Sequence, residues 1–152
     1  MRQLYLDRVS GLKQLFAANP AEVVPELQYL TERDWLEFVT YDHRRIEPDN
    51  SRAMSSARNR AQVHFALNVL EGALRQYGKD NLGQFPTDLS HLAPYLKSPV
   101  DASALPGWTI LPASSFSGRL QMDEDWVITQ KALVNAALDQ RVVVGLKGHA
   151  VE

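Results

Sequence analysis

Residues Arg52 to Tyr77 carry the pattern that most restricts how this chain can fold. Val63, Ala66, Leu67, Leu70, Ala73, Leu74 and Tyr77 recur at spacings of three and four, which predicts one helix with a continuous apolar stripe. Ala53, Ala57 and Ala61 continue the spacing upstream. Asp49 or Ser51 is placed to cap the start, and Gly78 is the expected left-handed stop. Such a helix is roughly 39 Å long at 1.5 Å per residue, long for a chain of 152 residues. The remaining segments read as elements leading into it or packed upon it.

Ahead of it, Tyr5, Val9, Leu12 and Phe16, widened by Leu4 and Leu15, predict a first helix over Gln3 to Ala18, ended by Asn19-Pro20. Pro20 to Leu30 gives a mixed signal, because Pro25 interrupts any continuous helix. Thr31 then reads as the N-cap of a second helix to about Tyr41. Glu32 and Asp34 lie in its first turn, Leu30 is set to pack on Trp35, and Trp35, Leu36, Phe38 and Val39 form its buried face. The polar run Tyr41 to Ser51 is a linker.

Beyond Gly78 the texture changes. Lys79 to Gly83 is loop, and Pro86-Thr87 introduces a short helix near Asp88 to Leu96 with Leu89, Leu92 and Tyr95 inward. Ser98-Pro99-Val100-Asp101 reads as a turn. From Trp108 the period falls to two: Trp108 and Ile110, then Trp126, Ile128 and Gln130, then the β-branched run Arg141 to Val144 predict three short strands. Leu133 to Leu138 is left open between a turn of helix and a loop. The fold class is therefore α+β: N-terminal helices, a long central helix and a small three-stranded antiparallel sheet packed on it. A boundary near Glu47 to Ser51 divides a helical arm (1–50) from a helix-plus-sheet unit (51–152), the two possibly forming one domain.

Chemistry is sparse. The chain has no cysteine, which removes disulfides, thiolate metal sites and cysteine nucleophiles. Its formal net charge is −2, so no global field favours nucleic acid or an anionic membrane. Arg44, Arg45, Arg52, Arg58 and Arg60 read as a solvated helix face and linker. No run approaches the roughly 18 apolar residues of a membrane span, and Asp7 and Arg8 interrupt any signal core, so the chain reads as soluble. His43, His64, His91 and His149 lack metal-ligand spacing. His64 reads as a partly buried structural histidine, and Asp88 as a cap with a surface His91 beside it. Asp123-Glu124-Asp125 offers oxygens to a cation, making Asp123 and Asp125 weak metal candidates. The run lacks the alternation of a calcium loop, and a solvated hairpin turn is the simpler reading. Asp80, Asp101 and Asp139 are turn residues by the same logic. Ser114 to Gly118 lacks a nucleophile elbow, no phosphate loop occurs, and Gly145-Leu146-Lys147-Gly148 is a glycine turn near the terminus. No catalytic residue or cofactor site is assigned, and the expectation is that the protein is not an enzyme.

Ala73-Leu74-Arg75-Gln76-Tyr77, followed by Asp80-Asn81-Leu82-Gly83-Gln84-Phe85-Pro86-Thr87, resembles type IV pilin-like proteins, most nearly the major pseudopilins of type II secretion systems. In that family a long helix ends in a run of the form AL-x-x-Y. A D-N-G-x-[FY]-P-T loop then leads to a short helix and a small antiparallel sheet. Here Leu82 is one extra residue in the loop. The resemblance covers about residues 60–144. Residues 1–50 have no counterpart in a minimal pseudopilin, and the family's apolar N-terminal helix is not seen. It implies a bacterial, non-enzymatic assembly module that acts through protein partners, including copies of itself, in the periplasm or cell envelope. Contacts would run along the exposed face of the central helix and through Phe85, Pro86, Leu89 and Tyr95, with Phe85 and Pro86 fixing how the loop leaves the helix. The alternative is a cytoplasmic adaptor or regulatory protein acting through the helical arm.

Overall fold

The computed structural model describes residues 2–40, 50–116 and 123–152. Helix α1 spans Arg2–Ala18 and α2 spans Glu32–Thr40, joined by two short 3-10 segments, Pro20–Glu22 and Pro25–Tyr29. Each segment opens on a proline, where the missing N–H is no loss. Helix α2 starts as its sequence dictates. Thr31 Oγ1 accepts from the Asp34 N–H at 3.2 Å while the Asp34 carboxylate accepts from the Thr31 N–H at 2.8 Å, a reciprocal cap. Of the expected linker, residues 41–49, with His43, Arg44, Arg45 and Asp49, lie outside the described residues, while Asn50 and Ser51 already belong to the helix that follows, so Ser51 lies within it rather than at its cap.

The central run is one continuous helical path of three parts: α3 (Asn50–Phe65), a π turn (Ala66–Leu70) and α4 (Glu71–Asp80). The sequence pattern predicts an unbroken α-helix; the wider turn has a packing cause. Phe65 and Leu70 are five residues apart, yet both are fully buried in one core cluster. A regular helix at about 100° per residue would set them roughly 140° apart. The i+5 bond from the Glu71 N–H to the Ala66 carbonyl brings them onto one face.

Gly78 is not the stop. It sits buried within α4 because the Leu146 side chain lies over it, and a Cβ there would stand 3.0 Å from Leu146 Cδ2. The helix ends at Asp80. The Gly83 N–H returns to the Gly78 carbonyl at 2.7 Å, and Leu82 and Gly83 take φ of 56° and 76°. This is a Schellman-type ending with leucine where glycine is the usual choice.

After the loop come a 3-10 segment, Leu89–Tyr95, started by Asp88 accepting from the Ser90 N–H at 2.8 Å, and helix α5 (Pro99–Ala104). The sequence reading took Ser98 to Asp101 for a turn. Ser98 instead caps α5 by accepting from the Asp101 N–H at 3.2 Å, with Pro99 at the first helical position. Residues 133–138 form turns without regular helix.

The sheet has four strands rather than three: β1 (Trp108–Pro112), β2 (Trp126–Gln130), β3 (Val142–Val144) and β4 (His149–Val151), an antiparallel meander in chain order. The fourth was missed because three residues beginning with a histidine carry no readable alternation. Trp108, Ile128, Val142 and Val144 face Phe65, Ala66, Leu70 and Leu74 of the central run. Val127 and Val143 form a smaller cluster on the opposite face with Ala113.

Residues 2–40 cover the first half of the run. Leu12, Phe16, Trp35, Phe38 and Val39 pack on Met54 and Ala57, while Leu4 stays 51% exposed. Tyr29 reaches the other core, stacking on Phe65 with centroids 6.0 Å apart. Two polar joints fasten this layer. Arg58, expected on a solvated face, is fully buried: its Nη2 and Nε donate to Asp139 at 2.9 and 3.0 Å, and its Nη1 to Glu22 at 2.8 Å. Asp139, expected in an open turn, is thus an interior counter-ion. Burial acts to raise its pKa, but hydrogen bonds from Arg58, Ser55 and the Asn135 N–H outweigh that and hold it below the ordinary value. At the second joint Trp108 Nε1 donates to Glu26 Oε1 at 2.7 Å, and Glu26 Oε2 has no partner. Burial pushes the Glu26 carboxyl up, and the Trp108 bond only partly opposes it.

Two predictions follow from these joints. Arg58→Ala leaves Asp139 buried without its cation and is expected to cost about 3–5 kcal/mol in urea unfolding; a loss below about 1 kcal/mol would contradict the interior pair. A carboxyl raised in the folded state contributes stability that is complete below its unfolded pKa and is lost as pH rises through its folded value. Stability should therefore fall as pH climbs above about 4.5 through the Glu26 transition. Glu26→Gln should flatten that limb, and an unchanged pH profile would refute the assignment.

Candidate functional site

The Schellman ending aims the loop after α4 at the far end of the sheet. Between them lies a groove of about 740 Å³. Gly83 to Thr87 form one wall; Trp126 at the start of β2, Ile110 of β1 and the β3–β4 hairpin residues Leu146 and Lys147 form the other; Asp123, Glu124 and Asp125 make the rim. Pro86 is buried and Phe85 half-buried against the core cluster. Trp126 remains 47% exposed, opposite Pro112 in the strand register.

Two close approaches hold the groove together. The first is Leu146 on Gly78. The second is Glu124 on Gly145, where a Cβ would fall 1.8 Å from Glu124 Oε2, so any side chain there requires the Glu124 carboxylate to move. Glu124 Oε1 accepts from the Lys147 N–H at 2.8 Å, and Lys147 Nζ donates to the Asp123 carbonyl at 3.2 Å. The Lys147 ammonium is 4.0 Å from the fully exposed Asp123 carboxylate, a distance at which an exposed pair contributes little. Glu124 Oε2 is buried and has no hydrogen-bond partner.

The sequence candidates are distributed as follows. Phe85, Pro86, Asp123 and Asp125, from segments read separately, line the same groove. Leu89 packs partly buried against the main core. Tyr95 lies elsewhere: its hydroxyl donates to Asp80 at 2.7 Å, its ring meets Tyr77 edge-on, and it borders a hollow of about 500 Å³ with Asn68, Val69, Gly72 and Gln76. Asp88 and His91 are exposed on the 3-10 segment, where His91 stacks on Tyr77 at 6.3 Å. His64 is half-buried with its ring 4.9 Å from that of Tyr29. Asp101, read as a turn residue, is buried and accepts from the Tyr29 hydroxyl and from the Lys97 N–H at 3.1 Å. Trp126 was not singled out by sequence reasoning, Glu124 only as the middle of the acidic run and Lys147 only within the glycine turn. The exposed tryptophan looked like one more alternating strand residue, and only the three-dimensional approach of the hairpin marks it.

Among the described residues, no group of three or more His, Cys, Asp or Glu is placed to hold a metal ion, and no helix is long and apolar enough to cross a membrane. The chain matches no family model, no curated protein and no solved structure.

The geometry of the groove predicts two opposite responses. Leu82 is 95% exposed at φ 56°, so its side chain contributes no packing to offset the left-handed backbone. Leu82→Gly is expected to stabilise by about 0.5–1 kcal/mol. Gly145→Ala must displace the flexible Glu124 carboxylate and loses its bond from the Lys147 N–H, and is expected to destabilise by about 0.5–1 kcal/mol. Thermal unfolding of both variants checks this, and a destabilised Leu82→Gly would show that the leucine packs somewhere.

Proposed function

We propose that this chain is a non-enzymatic assembly module of the pilin or pseudopilin kind, acting through protein–protein contacts in the bacterial envelope. The observation that carries the reading is the order of parts. A long helical run ends in the Asn81 to Thr87 loop, a short 3-10 segment follows, and an antiparallel meander returns to pack on the second half of the run. This is the order that the sequence resemblance implies. The open face of the run supports the reading too. Gly72 has nothing within 4 Å of where a Cβ would be, so a neighbouring helix is able to approach the backbone beside Asn68, Gln76 and Tyr95. Phe85 and Pro86 act from within, setting the angle at which the chain leaves the helix.

One observation favours the alternative of an intracellular adaptor: Leu4 and Leu6 on α1 are 51% and 43% exposed, a small apolar patch on the helical arm. Location and self-association separate the two. Fractionation of source cells, with the mass and N-terminus of the native protein determined, should place it in the envelope. Sedimentation velocity should show concentration-dependent association that Gly72→Arg weakens. A cytosolic monomer whose sedimentation Gly72→Arg leaves unchanged would sink the assembly reading and leave the adaptor.

A further inference from the structure

We propose that the groove between Phe85-Pro86 and Trp126 docks a segment of a partner polypeptide that carries lysine or arginine flanked by aliphatic side chains. The inference rests on the assembly reading only for its biological setting; the groove's chemistry stands by itself.

Three features define the occupant. Part of the lining is apolar, with Phe85, Ile110, Trp126 and Leu146 beside buried Pro86, and aliphatic side chains would cover the hydrocarbon exposed there. The rim is acidic. Among the described residues that line the groove, Asp123, Glu124 and Asp125 stand with Lys147 as the one cation, its Nζ 4.0 Å from the Asp123 carboxylate, so this lining carries net negative charge. A lysine or arginine entering the groove therefore meets net negative charge at the rim. The indole of Trp126, 47% exposed beside that rim, offers its face to the same cation. Leu82, 95% exposed on the adjoining loop, extends the apolar surface available to the flanking residues. An anionic or purely polar segment would meet three carboxylates and gain nothing from the walls.

The test is selection from a random-peptide phage library on the immobilised full chain, followed by binding measurements on the synthetic consensus peptide. The consensus is expected to contain lysine or arginine among aliphatic residues, and binding is expected to weaken with added salt. Glu124→Gln keeps the acceptor for the Lys147 N–H and removes the charge; Trp126→Ala removes the indole. Each should weaken binding by about tenfold, with circular dichroism confirming that both variants are folded. No enrichment over bare support, an acidic consensus, or an affinity that neither variant changes would overturn the proposal. So would self-association blocked by the same two variants with no peptide selected, because the occupant would then be a second copy of the chain. A cytosolic location with the basic consensus intact would remove the assembly reading and leave the groove's specificity standing.

Discussion

Arg58 is fully buried, and its charge is tolerated because two carboxylates distant in sequence meet it. A guanidinium taken out of water costs several kcal/mol unless its donors are matched. Asp139 takes two of them and Glu22 a third, while Ser55 donates to the same Asp139 oxygen that Arg58 Nη2 reaches, at 2.6 Å. These partners fix three things at once: the 3-10 segment after α1, the first half of the central run, and the loop that feeds β3. A displacement of any one strands a buried charge. That penalty gives the packing a single register, which apolar contacts alone would enforce less sharply.

From that anchor the central run has to satisfy two unlike neighbours. Its first half lies under α1 and α2, where small side chains such as Ala57 and Ala61 let other helices come close. Its second half lies on a twisted sheet that wants larger side chains, and Leu70 and Leu74 fill the space against Val142 and Val144. One regular helix does not keep both faces aligned over about 45 Å. The π turn at Ala66–Leu70 is where the error is absorbed, at the boundary between the neighbours. Gln130 strengthens the same boundary, donating to Gln62 at 3.1 Å while its carbonyl oxygen accepts from the Val142 N–H at 2.9 Å.

What the sequence made legible was periodicity. The helices at Arg2–Ala18 and Glu32–Thr40, the central run and strands β1 to β3 all follow from spacing and caps. What it hid were interactions between segments far apart in the chain. Arg58 looks like any helix-surface arginine until Asp139 arrives, eighty-one residues on. Gly78 reads as a stop because glycine usually is one, and only Leu146 shows that its role here is to make room. Strand β4 needs β3 to exist at all, since three residues hold no pattern of their own. The groove shows both sides. Phe85 and Pro86 stood out as a loop motif and Asp123 and Asp125 as an acidic run, but nothing in their spacing says that they face each other.

That convergence follows from two glycines. Gly78 admits Leu146, drawing the β3–β4 hairpin against α4. Gly145 admits the Glu124 carboxylate, drawing the start of β2 against the same hairpin. A side chain at Gly78 would crowd Leu146, and one at Gly145 would push the Glu124 carboxylate away and break its bond from the Lys147 N–H. The hollow is held by buried contacts on both sides, so a partner would meet it already formed.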